Sequence, residues 1–344
     1  MLMFKYLTIV FLSSFIASCG SNSGQNKNYF TIKTNAEKGN ISNSETLKLS
    51  IENKKNYTID SVSYMLSGKK VEDAVPLKNL KLGKQMLEAT VYFNNEKQSV
   101  ISQVTILNSE LPKVYGFEIL NEYPHDITSY TQGLEFFNDT LYESTGQYKE
   151  SKLRKVDYKT GDILKNINLA DEYFGEGLTI LNNKIYQLTW QKGTGFVYDV
   201  NTFEKLNSFK YGNSKEGWGL CNDTNEIYKS DGTENIWLLN PETLVEEDFI
   251  QVCTNKGKIV GINELEWIEG KIYANRYQKN GVAIINPKNG AVESVIDFTA
   301  LKNKVTQHAG LDVLNGIAYN PKTKTIFVTG KHWDKLFEVR VIEK

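Results

Sequence analysis

The sequence contains little cysteine, little proline and almost no net charge. Three cysteines in 344 residues are too few for disulfides to build the fold. With 40 basic and 41 acidic residues the net charge is −1, which removes the electrostatic case for nucleic-acid binding. Aromatic residues are instead abundant, with 19 tyrosines, 16 phenylalanines and five tryptophans against six prolines. This composition favours strands, and the ordinary charged share of 24% argues against disorder.

The N-terminal apolar run is too short to cross a membrane. Leu7–Ile16 is uncharged and follows Lys5, whereas a spanning helix needs about 20 apolar residues, so the run suits a signal peptide. It ends in Ile16–Cys19, whose sequence Ile-Ala-Ser-Cys resembles the bacterial lipobox. We therefore expect a signal peptide over 1–19, a lipid anchor on Cys19, a flexible tether over 20–28, and a place in the cell envelope, at the periplasmic face or outer membrane. An uncleaved anchor or an ordinary cleaved signal is the alternative.

The length of the chain predicts two domains, because one domain usually takes about 100–200 residues. Apolar residues alternate with polar ones in Leu47–Ile51 and Leu87–Phe93, and Val100–Leu107 closes this region. Such runs predict a small antiparallel β-sandwich over 29–110, and Leu80–Gly83 resembles part of bacterial Ig-like modules. A spacer or adhesion role is its default function. Leu111 and Pro112 mark a boundary, after which 113–344 forms the second domain.

The second domain is built from repeats. Five segments share a second strand that begins with Ile or Leu followed by an aromatic residue, at positions 141, 185, 227, 272 and 326. A period of about 40–50 residues with about four strands per unit is typical of a β-propeller. We therefore predict an all-β chain in which a five-bladed β-propeller follows the Ig-like sandwich. Val114–Leu120 is expected to supply the outer strand of the last blade.

The first strand of each repeat is expected to line a central channel, where equivalent positions meet. Those positions hold one carboxylate, three amides and an indole: Gln132, Glu176, Trp218, Asn263 and Asn315. Neighbouring glycines would let the strands approach closely. Further aromatic residues occupy related places, together with a lysine expected in the second strand of the last repeat: Tyr130, Phe174, Trp190, Tyr277 and Lys331. The unequal ring predicts a site with one titratable group, although amides lining a water-filled channel are the alternative.

Six ordered motifs between about His125 and Val341 resemble the plant-type and bacterial glutaminyl-peptide cyclotransferases. The motifs are Tyr130–Leu134, Glu143–Gly146, Tyr173–Thr179, Gly217–Leu220, Leu314–Ala318 and Ile326–Lys331. The resemblance implies conversion of an N-terminal glutamine into pyroglutamate with release of ammonia, and it makes Glu176 the catalytic acid and base. It implies a substrate pocket of Tyr130, Gln132, Phe174, Trp190, Trp218, Asn263, Tyr277 and Lys331. Tyr130 stands where the family usually has Phe, and Tyr277 where it usually has Trp, so the walls stay aromatic while substrate preference is open.

The residue types suit this chemistry. The nucleophile is the substrate's own α-amine, whose pKa near ~7.7 leaves part of it protonated at neutral pH. One carboxyl group can accept that proton and later pass a proton to the departing nitrogen, and apolar walls would raise the pKa of Glu176 toward neutrality. No metal or other cofactor is expected, since His125, His308 and His332 are scattered. A structural cation in the channel is left open.

Other functions stay open on the sequence alone. A non-catalytic propeller lipoprotein that binds a ligand or a protein would have no use for a buried carboxyl group facing aromatic rings. A propeller hydrolase or lactonase would need a set of channel carboxylates for calcium, and the aligned ring has one. The expected partners are peptides or proteins with an N-terminal glutamine, and the chain is expected to be a monomer. Cys221 and Cys253 are expected to be packed thiols, with a disulfide between them as the alternative.

Overall fold

The structure is a computed structural model that describes residues 28–344, and this part of the chain is almost wholly β. It contains strands β1 to β28 and a single turn of 3₁₀ helix, Leu301–Lys304. The prediction of an all-β chain is therefore confirmed. The same residues hold no helix of the length and apolarity needed to cross a membrane. The expected signal peptide, the lipobox with Cys19 and most of the tether lie outside the described residues.

The first eight strands form two sheets around one core. They are β1 Phe30–Thr34, β2 Asn40–Ser42, β3 Thr46–Asn53, β4 Ile59–Leu66, β5 Lys69–Val71, β6 Ala74–Pro76, β7 Gly83–Phe93 and β8 Glu96–Leu107. The sheet orders are β1-β3-β6 and β2-β8-β7-β4-β5. The alternation read from the sequence is confirmed, because Leu47 and Leu49 in β3 and Leu87 to Phe93 in β7 turn their apolar side chains into this core. One pairing is not antiparallel as expected, since β2 runs parallel to β8.

This N-terminal core continues into the rest of the molecule. Cys253 and Ala291, far along the chain, belong to the same cluster of buried apolar side chains. The backbone N–H of Leu82 donates to the carbonyl of Asn289 at 2.9 Å. The Lys81 ammonium pairs with Asp248 as well. The N-terminal sheets are therefore packed firmly against the sheets that follow.

The remaining strands form four-stranded units. Strand β9 Lys113–Pro124 comes first along the chain. The first two units are β10 Thr131–Phe137, β11 Thr140–Thr145, β12 Lys152–Val156 and β13 Ile163–Asn168, and then β14 Gly175–Leu181, β15 Lys184–Thr189, β16 Thr194–Asp199 and β17 Lys205–Lys210. The third and fourth units are β18 Leu220–Asn222, β19 Ile227–Ser230, β20 Asn235–Leu239 and β21 Glu246–Gln251, and then β22 Ile262–Ile268, β23 Lys271–Arg276, β24 Gly281–Ile285 and β25 Val292–Asp297; the last unit contains β26 Leu314–Asn320, β27 Thr325–Gly330 and β28 Lys335–Glu343. Within each unit consecutive strands pair antiparallel.

Strand β9 completes the last unit. It pairs antiparallel with β28, where Phe117 stands opposite Val341, as the sequence predicted for Val114–Leu120. Its other edge pairs in parallel with β25, so the last two units form one eight-stranded sheet. The N-terminal strand of this region thus closes the C-terminal unit, which ties the two ends of the repeats together.

The first strands of the five units contact one another in a closed cycle, β10 to β14 to β18 to β22 to β26 and back to β10. Glycine makes this approach possible. A Cβ at Gly133 would lie 2.5 Å from the backbone N of Leu178, and one at Gly177 would lie 2.6 Å from the Cα of Gly219. Real Cβ atoms do not come so close to backbone atoms, so these positions exclude every other residue.

Each first strand is irregular at the place where the predicted ring residue stands. The antiparallel register shifts between Thr131 and Gly133 in β10, and equivalent shifts occur in β14, β22 and β26. In the third unit the distortion goes further, since the expected strand over 217–220 begins only at Leu220. There the Ser230 hydroxyl accepts the N–H of Gly219 at 2.7 Å, while the Ser230 backbone bonds to both Trp218 and Gly219. Bulges of this kind redirect side chains next to functional sites.

The junction between the N-terminal sheets and the later sheets can be tested at Gly83. Its φ is +87°, and a Cβ there would lie 2.2 Å from Oε1 of Gln251. We expect Gly83→Ala to lower the free energy of unfolding by about 2–4 kcal/mol, through backbone strain plus overpacking, in a urea titration. The matched control is Gly68→Ala, where φ is +79° but no atom lies within 4 Å, so only the strain of about 1–2 kcal/mol applies. Equal losses in the two variants would contradict the role of the junction.

Candidate active site

One cavity of about 220 Å³ opens at the centre of the cycle of first strands. Its walls are Tyr130, Gln132, Gln147, Phe174, Glu176, Trp190, Trp218, Asn263, Tyr277 and Lys331. All nine residues singled out from the sequence as catalytic or substrate-binding therefore line the same space. Gln147 is the one lining residue that the sequence reasoning missed. It follows β11 directly after Gly146, outside the two positions that the repeat alignment compared.

Two positions of the repeat supply most of the wall. Gln132, Glu176 and Asn263 stand at the irregularities of the first strands. A second group follows the second strands, since Trp190 comes directly after β15 and Tyr277 directly after β23. Lys331 was expected inside the second strand of the last unit, but β27 ends at Gly330 and Lys331 is the next residue. It therefore shares the position of the two aromatic residues, where the chain leaves the sheet and turns toward the cavity.

The Glu176 carboxyl group is held by one amide and has one unused oxygen. Its Oε1 accepts a hydrogen bond from Nε2 of Gln132 at 2.9 Å, and its Oε2 is buried without a hydrogen-bond partner. The Oε1 of Gln132 in turn accepts from Nδ2 of Asn315 at 3.2 Å. Asn315, the fifth ring residue, does not line the cavity but fixes Gln132 from behind. The carboxyl group is thus oriented, with one oxygen free for a bound molecule.

The environment favours a protonated Glu176. Burial raises the pKa of its carboxyl group well above the usual range, the nearby Lys331 lowers that pKa, and the charge of Glu216 raises it. Burial also lowers the pKa of the Lys331 ammonium. That ammonium lies over the ring of Tyr130, 4.4 Å from its centre, and 5.7 Å from the centre of the Tyr277 ring. These cation–π contacts stabilise a positive charge that the apolar walls otherwise disfavour.

The aromatic walls contact one another edge to face. The ring centres of Phe174 and Trp190 are 5.6 Å apart, and Phe174 lies 6.0 Å from Tyr130. Trp218 and Tyr277 form a second pair at 5.6 Å. Such arrangements are favourable for aromatic quadrupoles and leave little freedom for the rings. The cavity therefore has a fixed apolar shape around its polar groups.

Two acidic residues behind the aromatic walls were missed by the sequence reasoning. Glu216 accepts hydrogen bonds from the indole N–H groups of Trp190 and Trp218, and Asp312 accepts one from the Tyr130 hydroxyl at 3.1 Å. A signal for Glu216 was present, because it precedes Trp218 by two residues, as Tyr130 precedes Gln132 and as Phe174 precedes Glu176. Asp312 left no comparable signal.

The first strands also bury carboxyl groups outside the aligned ring. Glu135, Glu264 and Glu266 each accept a backbone N–H from a neighbouring first strand, donated by Ile180, Ile317 and Tyr319 respectively. Burial raises the pKa of all three carboxyl groups. They link the first strands of different repeat units and do not line the cavity.

Metal ligation finds no support among residues 28–344, where no cluster of three or more His, Cys, Asp or Glu side chains has a metal-binding arrangement. The three histidines are separately engaged: His125 contacts Glu143, His308 contacts the carbonyl of His332, and the His332 ring contacts the carbonyl of Ile127. Cys221 and Cys253 are both buried, free thiols. The packed-thiol reading of these cysteines is therefore confirmed.

Known proteins resemble this chain in sequence and in fold. The sequence pattern of the glutamine cyclotransferase family matches residues 89–341. The chain belongs to this family. It is 38% identical over 252 residues to the glutaminyl-peptide cyclotransferase of Arabidopsis thaliana. The aligned residues cover 72% of this chain and 77% of that protein. Among solved structures it resembles the glutaminyl cyclase of Myxococcus xanthus, with a TM-score of 0.62, 34% identity, and coverage of 67% of this chain and 98% of that one.

The match to the glutamine cyclotransferase family contains the whole cavity and only the end of the N-terminal sheets. Its first residue, Ala89, lies within β7, and the N-terminal strands β1 to β6 precede it. The residues that line the cavity, from Tyr130 to Lys331, all fall inside the match. The family match therefore contains the cavity, whereas β1 to β6 lie outside it.

The raised pKa of Glu176 can be measured directly. We expect infrared difference spectra of wild type minus Glu176→Gln to keep the carbonyl stretch of a protonated carboxyl group at pH values above the ordinary titration range of glutamic acid, and to lose it as the pH rises through the raised pKa. The control is Asp297→Asn, because hydrogen bonds from Lys344 and Thr299 lower the pKa of Asp297 to about 2, so that variant removes an ionised carboxylate. A Glu176 carbonyl band that disappears at the ordinary pKa of a glutamic acid, about 4.3, would disprove the assignment.

Proposed function

We propose that this chain is a glutaminyl-peptide cyclotransferase in which Glu176 transfers the protons and the aromatic cavity holds an N-terminal glutamine. Family membership and the 38% identity to a cyclotransferase support the activity. The observation that carries the catalytic assignment is the Glu176 carboxyl group, with a raised pKa and with Oε2 unpaired inside the cavity. A protein that only bound a ligand would pay the cost of burying this group without using it.

The reaction needs a proton carrier and a fixed substrate shape. The α-amine attacks the side-chain amide carbon, a C–N bond closes the five-membered ring, and the original C–N bond breaks to release ammonia. Glu176 would take the proton from the α-amine and return it to the leaving nitrogen. Because the attack is intramolecular, holding the side chain curled over the amine supplies much of the rate. The rigid edge-to-face walls suit that task.

Polar groups of the cavity can be given separate roles. Gln132 already donates to Glu176 and accepts from Asn315, so we assign it to orienting the carboxyl group. The Oδ1 of Asn263 is buried without a hydrogen-bond partner and can accept an N–H of the substrate amide. The Lys331 ammonium can stabilise negative charge on the amide oxygen, an effect worth about 3–4 kcal/mol for one donor in comparable sites. None of these steps needs a metal or another cofactor.

We also propose the finer architecture and the location. A five-bladed β-propeller over 113–344 is supported by the closed cycle of five first strands, and an Ig-like sandwich over 29–110 by two sheets around one core. The lipobox-like sequence supports a lipid anchor on Cys19 and a place in the cell envelope. We propose that the chain acts there as a monomer on peptides or proteins with an N-terminal glutamine.

Activity is tested by ammonia release from a dipeptide that begins with glutamine. We expect the mature protein to release ammonia and Glu176→Gln to be slower by about 100- to 10,000-fold, because the amide cannot carry the proton. Glu204→Gln, at an exposed glutamate, should keep the wild-type rate, and a peptide whose only glutamine is internal should give no ammonia. An inactive wild-type protein would overturn the activity, and an unchanged rate in Glu176→Gln would overturn the role of Glu176.

The anchor is tested separately by Cys19→Ser. We expect the full-length wild-type protein, expressed in a bacterium, to incorporate labelled fatty acid and to partition into the detergent phase. Cys19→Ser should lose both properties while its cyclotransferase activity after solubilisation is unchanged. Fatty-acid incorporation that persists in Cys19→Ser would contradict the proposed site of lipidation.

A further inference from the structure

A single carboxylate oxygen joins two tryptophans of the cavity. The Oε2 of Glu216 accepts the indole N–H of Trp190 at 2.8 Å and that of Trp218 at 2.9 Å. Its Oε1 accepts from Nε2 of Gln191 at 3.2 Å. The two indoles come from different sheets, since Trp190 follows β15 and Trp218 precedes β18. Glu216 itself does not line the cavity.

We propose that Glu216 is a positioning residue of the cyclisation site, which holds Trp190 and Trp218 as one unit and thereby sets the width of the cavity. This inference rests on the proposed cyclotransferase function. Hydrogen bonds from indole N–H groups to an ionised carboxylate are stronger than those between neutral groups. Because both N–H groups bind the same oxygen, neither ring can turn without breaking its bond to the shared acceptor.

Glu216 is itself held in place by buried charges. The ammonium of Lys229 donates to the backbone carbonyl of Glu216 at 2.8 Å and pairs with Glu246 at 3.4 Å. Glu246 also accepts the backbone N–H of Ser214 at 2.9 Å. The segment before Trp218 is therefore fixed at its main chain, and Gly217 adds a bond from its N–H to the carbonyl of Trp190 at 3.1 Å. A fixed support is what a residue needs in order to place two rings accurately.

The charge of Glu216 has a second effect that geometry alone would not produce. It raises the pKa of the Glu176 carboxyl group from outside the cavity, because two negative charges near each other disfavour ionisation. Replacing Glu216 by glutamine leaves an oxygen that can accept an N–H but removes the charge. Replacing it by alanine removes both. The two substitutions therefore separate the positioning of the indoles from the electrostatic effect on Glu176.

The decisive experiment measures kcat, KM and pH profiles for a glutamine-initiated dipeptide in Glu216→Ala, Glu216→Gln and wild type. We expect Glu216→Ala to lower kcat/KM by about 10- to 100-fold, mainly by raising KM, because the indoles of Trp190 and Trp218 are no longer held in position. Glu216→Gln should lose less, while the limb of its kcat/KM profile that reports Glu176 moves to lower pH. Glu204→Ala, at an exposed glutamate, is the control and should keep the wild-type kcat, KM and pH profile.

The tryptophans provide matched variants. Trp190→Phe with Trp218→Phe keeps two aromatic rings and removes both donors, so adding Glu216→Ala to this pair should cost little further in kcat/KM. Losses that simply multiply would show that Glu216 acts elsewhere and would overturn the proposal. The same conclusion would follow if Glu216→Ala kept wild-type KM and Glu216→Gln kept the wild-type pH profile.

A readout that needs no activity separates this proposal from the proposed function. We expect the near-ultraviolet circular dichroism of the tryptophans to weaken in Glu216→Ala and to stay close to wild type in Glu216→Gln. If the wild-type protein releases no ammonia, the proposed function fails, yet this spectrum still decides whether Glu216 holds the indoles. If Glu216→Ala does not fold, the KM and the pH profile of Glu216→Gln decide instead. An unchanged near-ultraviolet spectrum in folded Glu216→Ala would overturn the positioning role.

Discussion

The close approach of the first strands is the constraint on which the cavity depends. Beside three of the ring positions it requires a residue without a side chain, since a Cβ at Gly219 would lie 2.1 Å from the carbonyl oxygen of Asn263. Gly133, Gly177 and Gly219 occupy equivalent places after Gln132, Glu176 and Trp218. Strands this close cannot all keep a regular ladder, and the register shifts that follow turn the ring side chains toward one point. The arrangement of the side chains in the cavity therefore depends on these close backbone contacts.

Burial then acts on the two charged groups of the cavity in opposite directions. It raises the pKa of the Glu176 carboxyl group and lowers that of the Lys331 ammonium, so each group is driven toward its neutral form. Their mutual attraction opposes this drive without cancelling it, because desolvation is the largest influence on both. A site balanced in this way can give or take a proton at little cost, which is what a single acid and base must do in consecutive steps.

The sequence predicted the cavity better than it predicted its supports. Repeat alignment works for Glu176 or Asn263 because equivalent positions of similar sheets must lie at equivalent points around a common axis. It fails where a side-chain hydrogen bond accompanies a local distortion, as just before β18, where the N–H of Gly219 donates to the Ser230 hydroxyl of β19. Asp312 and the buried Glu135, Glu264 and Glu266 were missed for the same reason. Their partners lie in other repeat units, and no spacing along the chain specifies those contacts.

The N-terminal sheets illustrate the limit of a boundary drawn from the sequence. Leu111 and Pro112 do separate two sets of sheets, but the packing crosses that point, since Cys253 lies in the N-terminal core and Leu82 bonds to Asn289. A flexible linker would let the catalytic sheets turn freely relative to residues 28–110. Shared buried surface instead fixes the direction in which the cavity opens relative to the start of β1. In a protein anchored through Cys19, as we propose, the cavity would therefore move together with the N-terminal sheets that follow the anchor.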